Sequence, residues 1–173
     1  MSLKEKYADE IAALLGRYAQ KRSAVLALLY IAQDEYGFLT DRGVREVAEA
    51  LDMPPTNVFE VAGFYSLLYE QPVGKWVLQV CDDVPCCFTG AEELVTALEQ
   101  QLGVLVDATT PDGMFTLQRV KCLADCNRAP MLQANLEYHG HITPDKVDGL
   151  LHDLRARAAG GERLSVSGRL AER

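Results

Sequence analysis

Four of the chain's five cysteines fall into two spaced pairs, Cys81 with Cys86 and Cys122 with Cys126, four and three residues apart, with 35 residues between the pairs. Each pair begins where a short β-prone run ends: KWVLQV leads into Cys81 and FTLQRVK into Cys122. Between them, Leu94, Val95, Leu98 and Leu102 recur at helical spacing, and Gly103 provides the stop. A strand, a helix and a strand in about 30 residues or more make a right-handed parallel crossover. Parallel strands end on the same edge of a sheet. The pattern therefore predicts four sulfurs on two neighbouring loops.

Four convergent thiolates suit zinc or an iron-sulfur centre. Zinc ribbons usually bring their ligands as short two-residue knuckles around one small ion, whereas wider intervals better span two irons and two sulfides. The spacing thus favours a 2Fe-2S cluster, with zinc and metal-free cysteines remaining open. A dithiol exchange motif of the CxxC type is absent, and His139, His141 and His152 lie in no Cys-x-His arrangement. Cys87, adjacent to Cys86, is expected to be a small buried side chain. Thr89 and Glu92 form a capping-box pattern, so a helix start is expected beside Cys86. Asp82, Asp83 and Asp125 flank the ligand positions; they read either as solvated loop acids or as charges that disfavour an added electron. Glu137, His139 and His141 alternate and read as the wet side of a hairpin.

Ahead of this region, residues 1–68 read as helices. Ser2 with Glu5 predicts a capped start to one helix carrying Tyr7, Ile11, Leu14, Leu15 and Tyr18. Val25 to Tyr36 follows, stopping at Gly37, and Thr40 caps a third helix that the MPP stretch ends. Pro55 opens a fourth helix, and the following GFYSLLY is expected to be core. Four short amphipathic helices predict a small bundle. Beyond the cysteines, PMLQAN and EYHGHI predict a hairpin, and Thr143 with Pro144 predicts the start of a last helix closing at Gly160 and Gly161.

The net charge of −8 argues against nucleic acid as a partner. MSLKEKYADE is charged where a secretory signal needs an apolar run, and the chain lacks a span of about 18 uncharged apolar residues. A cytoplasmic protein without direct membrane insertion is expected. In such a compartment cysteines are seldom structural disulfides.

FYSLLYEQPVGKWVLQVCDDVPCCFTGAEEL and TPDGMFTLQRVKCLADCNRAPMLQAN resemble the small 2Fe-2S subunit, the E-type, of bacterial complex I, the NADH:quinone oxidoreductase. The resemblance implies an α+β chain, with a helical bundle over 1–70 and a thioredoxin-like 2Fe-2S ferredoxin domain of order β-α-β-β-β-α over 71–160. It fades in the last dozen residues, where Arg163, Arg169 and Arg173 outnumber Glu162 and Glu172 and 161–173 reads as a basic flexible tail. It implies Cys81, Cys86, Cys122 and Cys126 as ligands of one 2Fe-2S cluster, with Cys87 outside the set. The implied role is an electron-transfer subunit of an NADH dehydrogenase, with no complete active site of its own. Its partner would be a larger subunit carrying FMN and binding NADH, in the peripheral arm on the cytoplasmic side of a membrane-bound respiratory complex. NAD-linked formate dehydrogenases and hydrogenases use equivalent subunits. A zinc-stabilised interaction module is the rival reading of a different class.

Overall fold

The computed structural model describes residues 2–162 and Ser165. The expected tail over 161–173 lies largely outside them. The chain divides into two compact units, one reaching to Pro72 and including Ser165, the other beginning at Val73.

The first unit is helical: α1 (Leu3–Lys6), α2 (Ala8–Gly16), a 3-10 turn (Lys21–Ala24), α3 (Val25–Tyr36), α4 (Asp41–Leu51) and α5 (Pro55–Phe64). Local signals act where expected. Ser2 and Glu5 cap α1 reciprocally, Gly37 ends α3 at φ 80°, and the Thr40 side chain accepts the Gly43 N–H at the start of α4. Leu28, Leu29, Ala32, Val44, Val47, Ala48, Val58 and Ala62 close the core. Two expectations fail. The predicted first helix breaks at Tyr7 and ends at Gly16, leaving Tyr18 exposed. GFYSLLY is only half core: Leu68 and Tyr69 are buried, but Phe64 is 79% exposed and Tyr65 is exposed beside it. The cause is backbone geometry. Tyr65 leaves the helix with φ −100° and ψ 122°, so the helical phase that would have carried its ring inward is lost, while Phe64, the last residue of α5, lies on the outward side of that helix. Gln33 pins the segment that follows, donating to the Leu67 carbonyl at 2.9 Å and accepting the Tyr69 N–H at 2.7 Å.

The second unit contains β1 (Trp76–Cys81), α6 (Val84–Phe88), α7 (Ala91–Leu102), β2 (Phe115–Val120), a 3-10 turn (Cys126–Arg128), β3 (Met131–Ala134), β4 (Glu137–Gly140), a 3-10 turn (Pro144–Lys146) and α8 (Val147–Ala159). The sheet order is β2-β1-β3-β4. The pair β1 and β2 is parallel with Cys81 opposite Val120, while β3 runs antiparallel to β1 and forms the hairpin with β4. The crossover read from the sequence is therefore present. Strand β1 lies between two neighbours and is buried throughout, consistent with its nearly continuous apolar composition. Trp76, Leu78 and Val80 point to one face, as the period of two requires, and pack with Leu94, Leu98, Leu151 and Leu154 of α7 and α8. On the other face Gln118, Gln79 and Gln133 hydrogen-bond in a row across three strands at 3.1 Å each, which satisfies the buried amides of Gln79 and Gln133.

Candidate metal centre

Both cysteine pairs sit at one edge of this sheet. Cys81 is the last residue of β1, and Cys86 lies in α6, a helix of little more than one turn. Cys122 follows β2 by two residues, and Cys126 opens the 3-10 turn. Cys81 and Cys86 are buried in a small apolar cluster with Ala91 and Met131, whereas Cys122 and Cys126 are exposed. The site thus has an inner and an outer pair of thiols.

Two observations test whether these residues suit a two-iron cluster. The sulfurs come as pairs: Cys122 and Cys126 lie 3.6 Å apart, and Cys81 is within hydrogen-bonding reach of Cys86. Backbone N–H groups also address the sulfurs. The Ala124 N–H donates to Cys122 Sγ at 3.3 Å, helped by a left-handed Ala124 at φ 62°, and the Met131 N–H acts on Cys86. Such donors stabilise thiolates and iron-bound sulfur. The residues fit the group.

Burial, then hydrogen bonding to Cys81, pushes the Cys86 thiol up to about 11 against the pull of the Met131 N–H. Hydrogen bonding to Cys122 raises the Cys126 thiol. Both are therefore protonated at neutral pH without metal, and metal binding must displace their protons.

Cys87 corrects an expectation, because it is exposed rather than buried. Successive helical residues lie about 100° apart, so α6 cannot turn both Cys86 and Cys87 inward. The Cys87 thiol instead donates to the Asp82 carbonyl at 3.0 Å. Replacing Cys87 with Ala should leave iron and sulfide per chain unchanged; loss of either would make it a ligand.

Helix α6 goes beyond what the sequence pattern predicts, and it displaces the expected cap. Thr89 terminates α6, with its hydroxyl on the Pro85 and Cys86 carbonyls at 2.8 and 3.2 Å, while Gly90 at φ 107° starts α7 without a side-chain cap. Glu92 is engaged by Arg119 rather than by Thr89. The amino end of α7 still adjoins the site, since Ala91 packs with Cys81 and Cys86. The PC pair is the usable signal: Pro85 suits a first helical turn after an Asp83 cap.

The flanking acids are not free loop charges. Asp82 pairs with Lys121 at 3.0 Å, Asp83 accepts the Val84 N–H at 2.9 Å, and Asp125 pairs with Arg128 at 2.5 Å. The expected wet face of the hairpin is also revised. Glu137 pairs with Arg157 at 2.6 Å, His139 is mostly buried, and His141 leaves the strand at φ 53°. His141 is exposed, as expected, and Tyr138 on the opposite face of the strand is exposed as well.

The second ligand loop rests on β4. The Arg128 carbonyl accepts the His141 N–H at 2.7 Å, and a Cβ at Gly140 would stand 2.5 Å from Arg128 Cβ and 3.1 Å from that carbonyl. Gly140→Ala is expected to cost roughly 1–3 kcal/mol by overpacking and to speed loss of cluster to a chelator. A melting curve and chelator kinetics matching wild type would contradict this.

The thioredoxin-like 2Fe-2S ferredoxin family matches residues 11–155. An E-type NADH-quinone oxidoreductase subunit of Rhizobium meliloti (strain 1021) is 43% identical over 148 residues, 86% of this chain and 88% of the relative. The E-type subunit of the same oxidoreductase from Mycobacterium tuberculosis (strain H37Rv) is 36% identical over 83% of this chain, which spans only 57% of that longer protein. Among solved structures, an NAD+-reducing NiFe-hydrogenase in the air-oxidised state superposes with a TM-score of 0.69 at 20% identity, over 78% of this chain and 23% of that one, a likeness of fold. With its sulfurs paired at one sheet edge and its sequence matched across both units, the chain belongs to the thioredoxin-like 2Fe-2S ferredoxin family, among the E-type subunits of NADH-quinone oxidoreductase.

Proposed function

We propose that this chain is the electron-transfer subunit of a multisubunit NADH:quinone oxidoreductase, holding one 2Fe-2S cluster through Cys81, Cys86, Cys122 and Cys126. The observation that carries this reading is the placement of two thiol pairs, one buried and one exposed, beyond the carboxyl ends of the neighbouring parallel strands β1 and β2. A bound 2Fe-2S cluster supplies one-electron redox chemistry at nearly fixed geometry.

The protein's own residues do the rest. Cys81 and Cys86 anchor the group from inside, where burial excludes water. Cys122 and Cys126 hold it from the solvent side, which is the side a redox partner can approach. The Ala124 and Met131 N–H groups orient and stabilise the sulfurs. The partner in this reading is a larger subunit that binds NADH and carries FMN, exchanging single electrons with this chain. Oxidoreductase activity then belongs to the assembled complex.

Among the described residues no helix is long and apolar enough to cross a membrane. We place the chain in the peripheral arm on the cytoplasmic side. An equivalent place in an NAD-linked formate dehydrogenase or hydrogenase has less support, because the hydrogenase likeness is one of fold.

Anaerobic purification tests the reading. The expected product is reddish-brown, contains two irons and two sulfides per chain as a 2Fe-2S cluster requires, gives a rhombic electron paramagnetic resonance signal on reduction, and copurifies with a flavin-containing subunit from its host. A colourless protein with one zinc per chain would overturn it in favour of a zinc-stabilised interaction module.

A further inference from the structure

The geometry points to the Asp82–Lys121 ion pair as an electrostatic staple across the two ligand loops, with Lys121 as a positioning residue whose charge sets how readily the site accepts an electron. This inference rests on the cluster reading above. Asp82 follows Cys81 and Lys121 precedes Cys122, so their 3.0 Å bond joins the two loops directly. The sheet prepares the contact. Cys81 stands opposite Val120, and the Asp82 N–H extends the ladder to the Val120 carbonyl at 3.0 Å, which brings the next residue on β2 alongside.

The other charges nearby are engaged differently. Asp125 and Arg128 pair within the second loop, Asp83 caps α6, and Arg119 holds Glu92 on α7. The Asp82 side chain is only 17% exposed, whereas that of Lys121 is 84% exposed. Removing Lys121 would therefore leave a largely desolvated carboxylate beside a group that gains negative charge on reduction, and that carboxylate would oppose the electron. Removing Asp82 would leave Lys121 without its hydrogen-bonded partner, with only the weaker pull of Asp83 on it, and the freed positive charge favours the electron. A merely structural tie predicts no such opposition of sign.

The full-length protein carrying its cluster is the test object. Its midpoint potential is read by a reductive titration followed by electron paramagnetic resonance, and its cluster retention by chelator kinetics. Lys121→Met should lower the potential and Asp82→Asn should raise it, each by up to about tenfold in the one-electron equilibrium, or about 59 mV. Both shifts should shrink as salt is added, because Lys121 is exposed. Both variants should lose cluster faster than wild type. The double variant Asp82→Lys with Lys121→Asp restores charge balance and should lie nearer the wild-type potential than either single. Lys121 lies on the surface, so K121M keeps its fold and decides the sign even if D82N does not fold. Unchanged potentials, or shifts of the same sign, would overturn the inference while leaving the cluster reading intact. A wild-type chain that holds no cluster would overturn both.

Discussion

Alanine at any one of Cys81, Cys86, Cys122 or Cys126 is expected to remove the cluster, cutting iron and sulfide per chain by more than about tenfold, since even outer-shell changes at metal sites cost about 10–100-fold. The outer pair makes this result informative about mechanism. Cys122 and Cys126 are exposed, so their loss deletes little packing, and the metal-free variants should melt within about 0.5 kcal/mol of the metal-free wild type. A cluster lost from an unperturbed fold assigns those thiols as ligands. Cys81 and Cys86 lie in an apolar cluster with Met131 and Ala91, and their variants should pair loss of cluster with a measurable loss of stability. Full cluster content in any of the four variants would remove that residue from the proposed set.

Trp76→Ala should give the largest loss of stability. Trp76 is the only tryptophan in the chain and is fully buried at the start of β1. Its Nε1 donates to the Leu154 carbonyl in α8 at 2.8 Å, and the Arg157 guanidinium lies over its ring at 5.0 Å. Truncating a buried Trp to Ala costs about 3–5 kcal/mol, or on the order of 15–30 °C in melting temperature for a unit of this size. Trp76→Phe retains most of the apolar volume and should cost about 1–3 kcal/mol, chiefly through the donor lost to Leu154. Circular dichroism melts of both variants check the ranking; equal losses would mean that the hydrogen bond, rather than the packed ring, dominates. The effect reaches the site along the chain, because β1 runs from Trp76 to Cys81. Cluster retention should fall in Trp76→Ala even though that side chain touches no sulfur.

Several local features are legible because their causes lie within a few residues. The Ser2 capping box, the left-handed Gly37 and the Thr40 cap each depend on one turn of backbone, and each is found. Where a segment leaves its regular period, that legibility ends. Tyr65 continues the helical spacing of the apolar stripe of α5, but its extended backbone turns the ring outward. Likewise the Thr89 and Glu92 pattern is a good cap in isolation. It yields to α6, which recruits Thr89 as its own terminus and leaves Glu92 to Arg119.

The cysteine spacing, the β-prone run ahead of each pair and the helical period between them determined the essential placement: two strand ends, one connecting helix and hence four sulfurs at one sheet edge, because a parallel crossover admits little else. Only the tertiary structure decided what surrounds them. The turn of α6 sends Cys86 inward and Cys87 outward, and the parallel register sets Lys121 against Asp82 across 39 residues of sequence. A ligand's position along the chain is written in local pattern. Its burial and its neighbouring charges depend on how distant segments align, and no local pattern encodes that.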